Sequence, residues 1–242
     1  MQPAARRHPA VNAVEAVIRV RNLHYRYPGG AQALSGVNFE LAPGECVALL
    51  GPNGSGKTTF ILCLNGILES SGDVEVCGQL LSRTTAMSIR QRVGMVFQDA
   101  DDQLIMPAVL DDVMFGLRNA GVSERESRQR AIAALAAVNL DGVADRAPWQ
   151  LSAGEKRRVA IAGVLVTDPA VLVLDEPTTS LDPPGRRELI RLLKSLPQAR
   201  IVITHDAGLA RAVASRAVFF QQGRVAAEGP VEEILARFEW ND

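Results

Sequence analysis

Apolar and polar positions alternate through "VIRVRNLHYRY" (residues 17–27), the two-residue period of a half-buried strand. The turn "YPGGAQ" follows, and "GVNFEL", the turn "APGE" and "CVALLG" predict two further strands. In "GKTTFILCLNGIL" the pattern becomes that of a helix ending near Gly66. "GDVEVCG" predicts a short β element and "RVGMVFQ" (92–98) another strand. Residues 99–168 then show only helical patterns. Ser123 and Glu126 have capping-box spacing ahead of an Ala-rich helix over 124–138. From 170 onward strands and helices alternate: strand "AVLVLD", a helix from Pro183, strand "RIVITH", a helix from Asp206, strand "AVFFQQG" and a terminal helix near 231–238. Such alternation implies an α/β protein with a mainly parallel sheet covered on both faces, interrupted by a helical insertion at about 99–160.

Composition narrows this picture only slightly. The 242 residues are 47% hydrophobic and 22% charged, enough for one substantial domain. Lys+Arg 26 against Asp+Glu 27 leaves a net charge of −1, so nothing favours nucleic acid or anionic lipid as a partner. Cys46, Cys63 and Cys77 are odd in number and follow no metal-ligand spacing, which fits a reducing cytosol. The opening "MQPAARRHPA" has charge without an apolar stretch, so residues 1–14 read as a loose lead-in rather than a secretory signal. The longest apolar runs, such as "VAIAGVLV" (159–166), fall well short of the roughly 18 residues of a membrane span. If the protein acts at a membrane, another chain crosses it.

Chemistry enters with "GPNGSGKTT" (51–59), which matches G-x-x-x-x-G-K-[ST] between an apolar strand and a helix. Gly51, Gly54 and Gly56, with Pro52, Asn53 and Ser55 between them, allow backbone N–H groups to point inward as an anion nest. Lys57 would reach the β- and γ-phosphates, the Thr58 hydroxyl that completes the motif would hold Mg²⁺, and Thr59 just after it is a further candidate for binding the nucleotide. The run "VLVLDE" (171–176) fits a strand buried on both faces. Its end is the edge where open α/β sheets bind ligands. Asp175 suits a hold on Mg²⁺, and Glu176 suits the base that orients or deprotonates an attacking water.

"LSAGEKRRVA" (151–160) has a capping box in Ser152 and Glu155, with the small Ala153 and Gly154 between them. It reads either as a capped helix start or as an N-terminus meant for an anion. Lys156, Arg157 and Arg158 read as a solvated helix face.

Together these pieces resemble the nucleotide-binding subunit of ABC transporters, from about residue 17 to nearly the end of the chain. "LSAGE" is similar to the family signature LSGGQ, with Ala153 and Glu155 as departures. Gln98 resembles the Q-loop glutamine, "SLD" (180–182) the D-loop with Asp182, His205 the switch histidine, and Tyr27 the aromatic that stacks on adenine. The resemblance implies a P-loop NTPase of RecA-like fold with N-terminal antiparallel β strands. The core would be 15–98 and 161–242, and 99–160 an inserted α-helical subdomain. It also implies ATP and Mg²⁺ as cofactors, with Thr58, Gln98 and Asp175 around the ion. Catalysis would fall to Glu176, His205 and Gln98. Two subunits would sandwich the nucleotide, so Ser152, Gly154, Glu155 and Asp182 would face ATP held by the partner, a second copy or a paralogue.

"FQDADDQLIMPAVLDDVMFG" (97–116) resembles the FQ-x-x-DDQL-x-x-P-x-V-x-x-DV-x-FG pattern of energy-coupling-factor importer ATPases, which serve cobalt, nickel, biotin and other vitamins. Asp99-Ala100 replaces the usual Asn-Pro. This likeness implies a membrane subunit whose coupling helix meets Gln98–Val113, a substrate-binding membrane component, and a place at the cytoplasmic face of the cell membrane. Leu104, Ile105, Met106 and Val109 would line that groove or belong to the subdomain core. An exporter ATPase and a soluble ABC protein acting on nucleic acid or ribosomes are the alternatives. The "DDQL" region disfavours the first, and the balanced charge and single nucleotide motif disfavour the second.

Overall fold

A computed structural model describes residues 16–240, so the expected lead-in 1–14 lies outside it. The first half contains β1 (Ile18–Arg26), β2 (Gln32–Leu41), β3 (Cys46–Leu50), α1 (Lys57–Leu64), β4 (Ser71–Val76) and β5 (Gln79–Leu80). Then come α2 (Ala86–Arg92), β6 (Val93–Val96), α3 (Val109–Asn119), α4 (Glu124–Ala137), a 3₁₀ turn (Pro148–Gln150) and α5 (Ala153–Leu165). The remainder runs β7 (Val171–Asp175), α6 (Pro183–Ser195), β8 (Ala199–Ile203), α7 (Ala207–Val213), β9 (Arg216–Gln221), β10 (Arg224–Pro230) and α8 (Val231–Arg237).

The uninterrupted apolar runs become the central strands. β3, β7 and β8 are buried at every residue. A strand sends successive side chains to opposite faces, and both faces are covered. Val171 and Val173 enter one hydrophobic cluster with α1, while Leu172 and Leu174 enter another with α3, α5 and α6. β6, β7, β8, β3 and β9 pair in parallel in that order, and β10 adds an antiparallel edge beside β9. β2, β1, β4 and β5 form a separate antiparallel sheet. Phe60, Ile61 and Leu64 of α1 fill the space between the two sheets. This is the α/β arrangement anticipated above, including the N-terminal antiparallel strands.

Three elements escape the sequence pattern. In β10 partly buried and exposed residues alternate, and no large apolar side chain marks the inward face. The short α2 buries only Ile89 and has no side-chain cap. β5 is two residues long. Between Gln98 and α5 the expected run of helices without a strand is present, with Val113, Leu117, Ala131, Leu135 and Val159 packed together. The 160/161 division falls inside α5, which continues from this cluster toward the sheet.

Candidate functional site

The strand-to-helix turn after β3 is shaped by glycine. Gly51 has φ +131°, and a Cβ there would lie 2.2 Å from the Phe220 carbonyl oxygen, a distance only a missing side chain permits. The loop then closes on Lys57, the first residue of α1. Its Nζ donates to the carbonyls of Gly51 at 2.6 Å and Pro52 at 3.0 Å. Burial pushes the Lys57 pKa down, while Glu176 and Asp175 pull it back up. The Ser55 hydroxyl is buried and finds no partner among the described residues. Such an orphan inside an anion nest matches a phosphate oxygen as its missing acceptor.

Around this loop lies a pocket of about 370 Å³, lined by Tyr27, Asn53, Gly54, Ser55, Gly56, Lys57, Thr58, Thr59, Asp175 and Glu176. Thr58 Oγ1 donates to Asp175 Oδ2 at 3.3 Å, joining the helix start to the end of β7. The Tyr27 hydroxyl is 3.0 Å from Thr59 Oγ1, and its ring is 40% exposed at the pocket mouth. Burial raises the Asp175 pKa against the opposing pull of Thr58 and Lys57. Burial also raises that of Glu176, aided by the Asp175 charge. Glu176 has φ +43°, a left-handed backbone that costs a non-glycine residue on the order of 1–3 kcal/mol. Its N–H donates to Ile203 O at 2.9 Å, and its carboxylate accepts from the His205 N–H at 3.2 Å. His205 Nε2 lies 3.2 Å from Glu176 Oε1 without hydrogen-bond alignment. Burial and then Lys57 lower the His205 pKa, against the opposing pull of Asp175.

The Thr58 hydroxyl and Asp175 carboxylate are hard oxygen donors, the type Mg²⁺ takes. No group of three or more His, Cys, Asp or Glu suited to a metal exists among the described residues. An ion bound here would complete its shell with phosphate oxygens and water, the usual habit of Mg²⁺. The donor set fits.

Gln98 does not line this pocket. It faces an adjoining cleft of about 860 Å³ that shares Asp175 and includes Asp101, Lys156, Arg157 and Ser180. Ser152 and Gly154 line a third hollow of about 340 Å³ with Leu181 and Asp182. Within one chain the signature residues and the phosphate loop therefore open onto different pockets. The capping box is formed in full: Glu155 N–H donates to Ser152 Oγ at 3.3 Å, and Ser152 N–H to Glu155 Oε2 at 2.8 Å. Those bonds and Arg146 lower the Glu155 pKa. Asp182 caps α6 by accepting from Gly185 N–H at 2.9 Å.

Arg157 corrects the expectation of a solvated basic face. It is 4% exposed and donates to the carbonyls of Phe97 at 2.6 Å and Gln98 at 2.5 Å. Lys156 pairs with Asp101 and Arg158 with Glu188. Successive helix positions point about 100° apart, so three adjacent basic residues reach three different places. Of the four apolar residues after Gln98, Val109 is core, Leu104 packs against that core, Met106 is half-buried and Ile105 is exposed.

A phosphate-binding loop after β3, a histidine just beyond the adjacent strand β8 and paired acids at the end of β7, one strand further on, define a P-loop nucleoside triphosphatase. The ABC transporter family model matches residues 34–179, and the chain belongs to this family as one of its ATPases. An ATP-binding protein ascribed to an ABC transporter in Geobacter sulfurreducens is 45% identical over 224 residues, covering 92% of this chain and 90% of the relative. The energy-coupling factor transporter ATP-binding protein EcfA of Methanosphaera stadtmanae is 43% identical over 225 residues, covering 90% and 81%. Among solved structures, CbiO1 from Clostridium perfringens, part of the ABC transporter complex CbiONQ, superposes with a TM-score of 0.84. It is 39% identical, with 93% of this chain and 92% of that chain covered. The cassette MJ0796, in a dimeric post-hydrolysis state bound to ADP and Pi, has a TM-score of 0.79 at 30% identity, covering 88% and 98%.

Proposed function

We propose that this chain is the ATP-hydrolysing subunit of an importer of the energy-coupling-factor type, at the cytoplasmic face of the cell membrane. It would drive uptake of a transition-metal ion such as cobalt or nickel, or of a vitamin such as biotin. Likeness to EcfA and CbiO1 across nine-tenths of the chain supports the importer class. The observation that carries the chemistry is the pair of buried Asp175 and partly buried Glu176 sharing one pocket with Lys57 and Thr58.

In this reading the loop 51–59 binds the triphosphate of ATP, and Tyr27 stacks on its base. Thr58 and Asp175 would hold Mg²⁺, with Gln98 reaching it from the adjoining cleft that shares Asp175, and the ion would neutralise charge on the β- and γ-phosphates. Glu176 accepts a proton from the attacking water, a task helped by its raised pKa. His205 keeps Glu176 and the γ-phosphate in line. Ser152, Gly154, Glu155 and Asp182 serve the nucleotide of a second cassette, which is either another copy of this chain or a paralogue. Residues 15–98 and 161–242 act as the core and 99–160 as a helical subdomain. Gln98–Val113 receives the coupling helix of the membrane subunit, and exposed Phe97 and Ile105 supply its apolar contacts. A separate membrane component binds the cargo, and no nucleic acid is involved.

Glu176→Gln tests the chemistry. It should leave ATP binding intact and lower hydrolysis by roughly 10²–10⁴, the scale for loss of a general base. Unchanged turnover would remove Glu176 from this role. Copurification of membrane proteins with the tagged chain tests the importer class, and an exporter subunit among them would contradict it.

A further inference from the structure

After α8 the chain turns back, with Trp240 N–H donating to Leu235 O at 2.9 Å. The indole lands on the imidazole of His205, ring centroids 5.7 Å apart and planes inclined by 26°. The same indole meets Phe219 of β9 edge-on at 5.4 Å and 83°, and Phe219 stacks on Phe238 at 3.6 Å. The indole N–H is buried and has no acceptor among the described residues. Aromatic packing, not a hydrogen bond, therefore holds this ring.

His205 needs such support. Its side chain is 42% exposed, and its Nε2 is near Glu176 Oε1 without the alignment that would lock the ring. An exposed side chain in that situation exchanges freely among rotamers. The charges acting on it are Lys57 and Asp175, with Glu176 at contact distance. Trp240 adds a flat, uncharged wall that orients the ring without competing for its proton.

We propose that Trp240 is a positioning residue for ATP hydrolysis, holding the His205 imidazole beside Glu176 through the chain of rings Phe238–Phe219–Trp240. The proposal rests on the reading of His205 as part of the hydrolytic site. An aromatic pair of ordinary strength biases a rotamer balance about two- to tenfold, and that sets the size of the expected effect.

The test compares Trp240→Leu, which keeps apolar bulk but loses the flat ring, with Trp240→Phe, His205→Ala and the double variant Trp240→Leu/His205→Ala. Thermal unfolding of each checks that α8 still docks. Trp240→Leu should lower kcat about two- to tenfold while leaving KM for ATP essentially unchanged, and Trp240→Phe should recover most of the rate. In the His205→Ala background the Leu substitution should add nothing further. A full kcat in Trp240→Leu beside an impaired His205→Ala would overturn the proposal. So would an equal loss in both backgrounds, which would mean Trp240 acts through the fold. A fully active His205→Ala would instead overturn the reading of His205, and the proposal with it.

Discussion

Arg157→Met keeps a long apolar stem and removes the guanidinium that joins α5 to the segment carrying Gln98. Two hydrogen bonds are lost, to the carbonyls of Phe97 and Gln98. Bonds to a charged donor contribute about 1.5–3 kcal/mol each, so the gross loss is about 3–6 kcal/mol. Opposing it is the cost of keeping a guanidinium 4% exposed, which burial expresses as a lowered Arg157 pKa. Relief of that cost, together with water reaching the freed carbonyls, leaves a net destabilisation of about 2–3 kcal/mol. Urea unfolding followed by circular dichroism should show a lower midpoint with an unchanged slope. The ATPase assay should show kcat reduced about ten- to hundredfold, because Gln98 loses its anchor, with ATP affinity preserved. Arg157→Lys should fall between, since an ammonium cannot bridge both carbonyls as a planar fork does. A Met variant with the original midpoint and full turnover would refute the idea that Arg157 fixes this loop.

Burial and Asp175 hold the Glu176 pKa above its ordinary 4.5, so ionised Glu176 works against the fold. The native state binds this proton more tightly than the unfolded chain, and stability from this group falls as pH rises from 4.5 through the raised value. Glu176→Gln should therefore melt higher than wild type at pH 7.5, with the gain vanishing as pH drops to about 4.5; a constant gain would contradict that cause. At Gly154 a built Cβ meets only Leu181 Cδ2, at 4.0 Å, so nothing within this chain demands glycine there. Gly154→Ala should raise stability by about 0.5–1 kcal/mol and still lower hydrolysis at least about tenfold. Full activity in that variant would remove position 154 from phosphate recognition.

The phosphate loop, the acids at the end of β7 and the succession of core strands along the chain were readable because each depends on local pattern: glycine spacing, an apolar run, a cap; the order of those strands across the sheet was not. Arg157 was not. Its run of three charges looks solvated in one dimension, and only the helix rotation turns the middle one inward against Phe97 and Gln98. β10 was missed because edge pairing to β9, not an apolar face, defines it. The Trp240–His205 contact joins residues at the ends of separate elements, and no period along the chain encodes it. The segment 151–155 is explained only in part from within the chain. Ser152 and Glu155 cap α5 within the chain, yet Gly154 has no steric reason inside it.

That last observation bears on the central claim, a nucleotide site completed by a second cassette. Lys57→Ala and Ser152→Ala chains should each be nearly inactive alone. Mixed in equal amounts, half of the dimers would pair one of each and hold one intact site of two, restoring roughly a quarter of wild-type ATPase activity. A mixed dimer, isolated through different affinity tags on its two chains, that remains inactive would contradict the account.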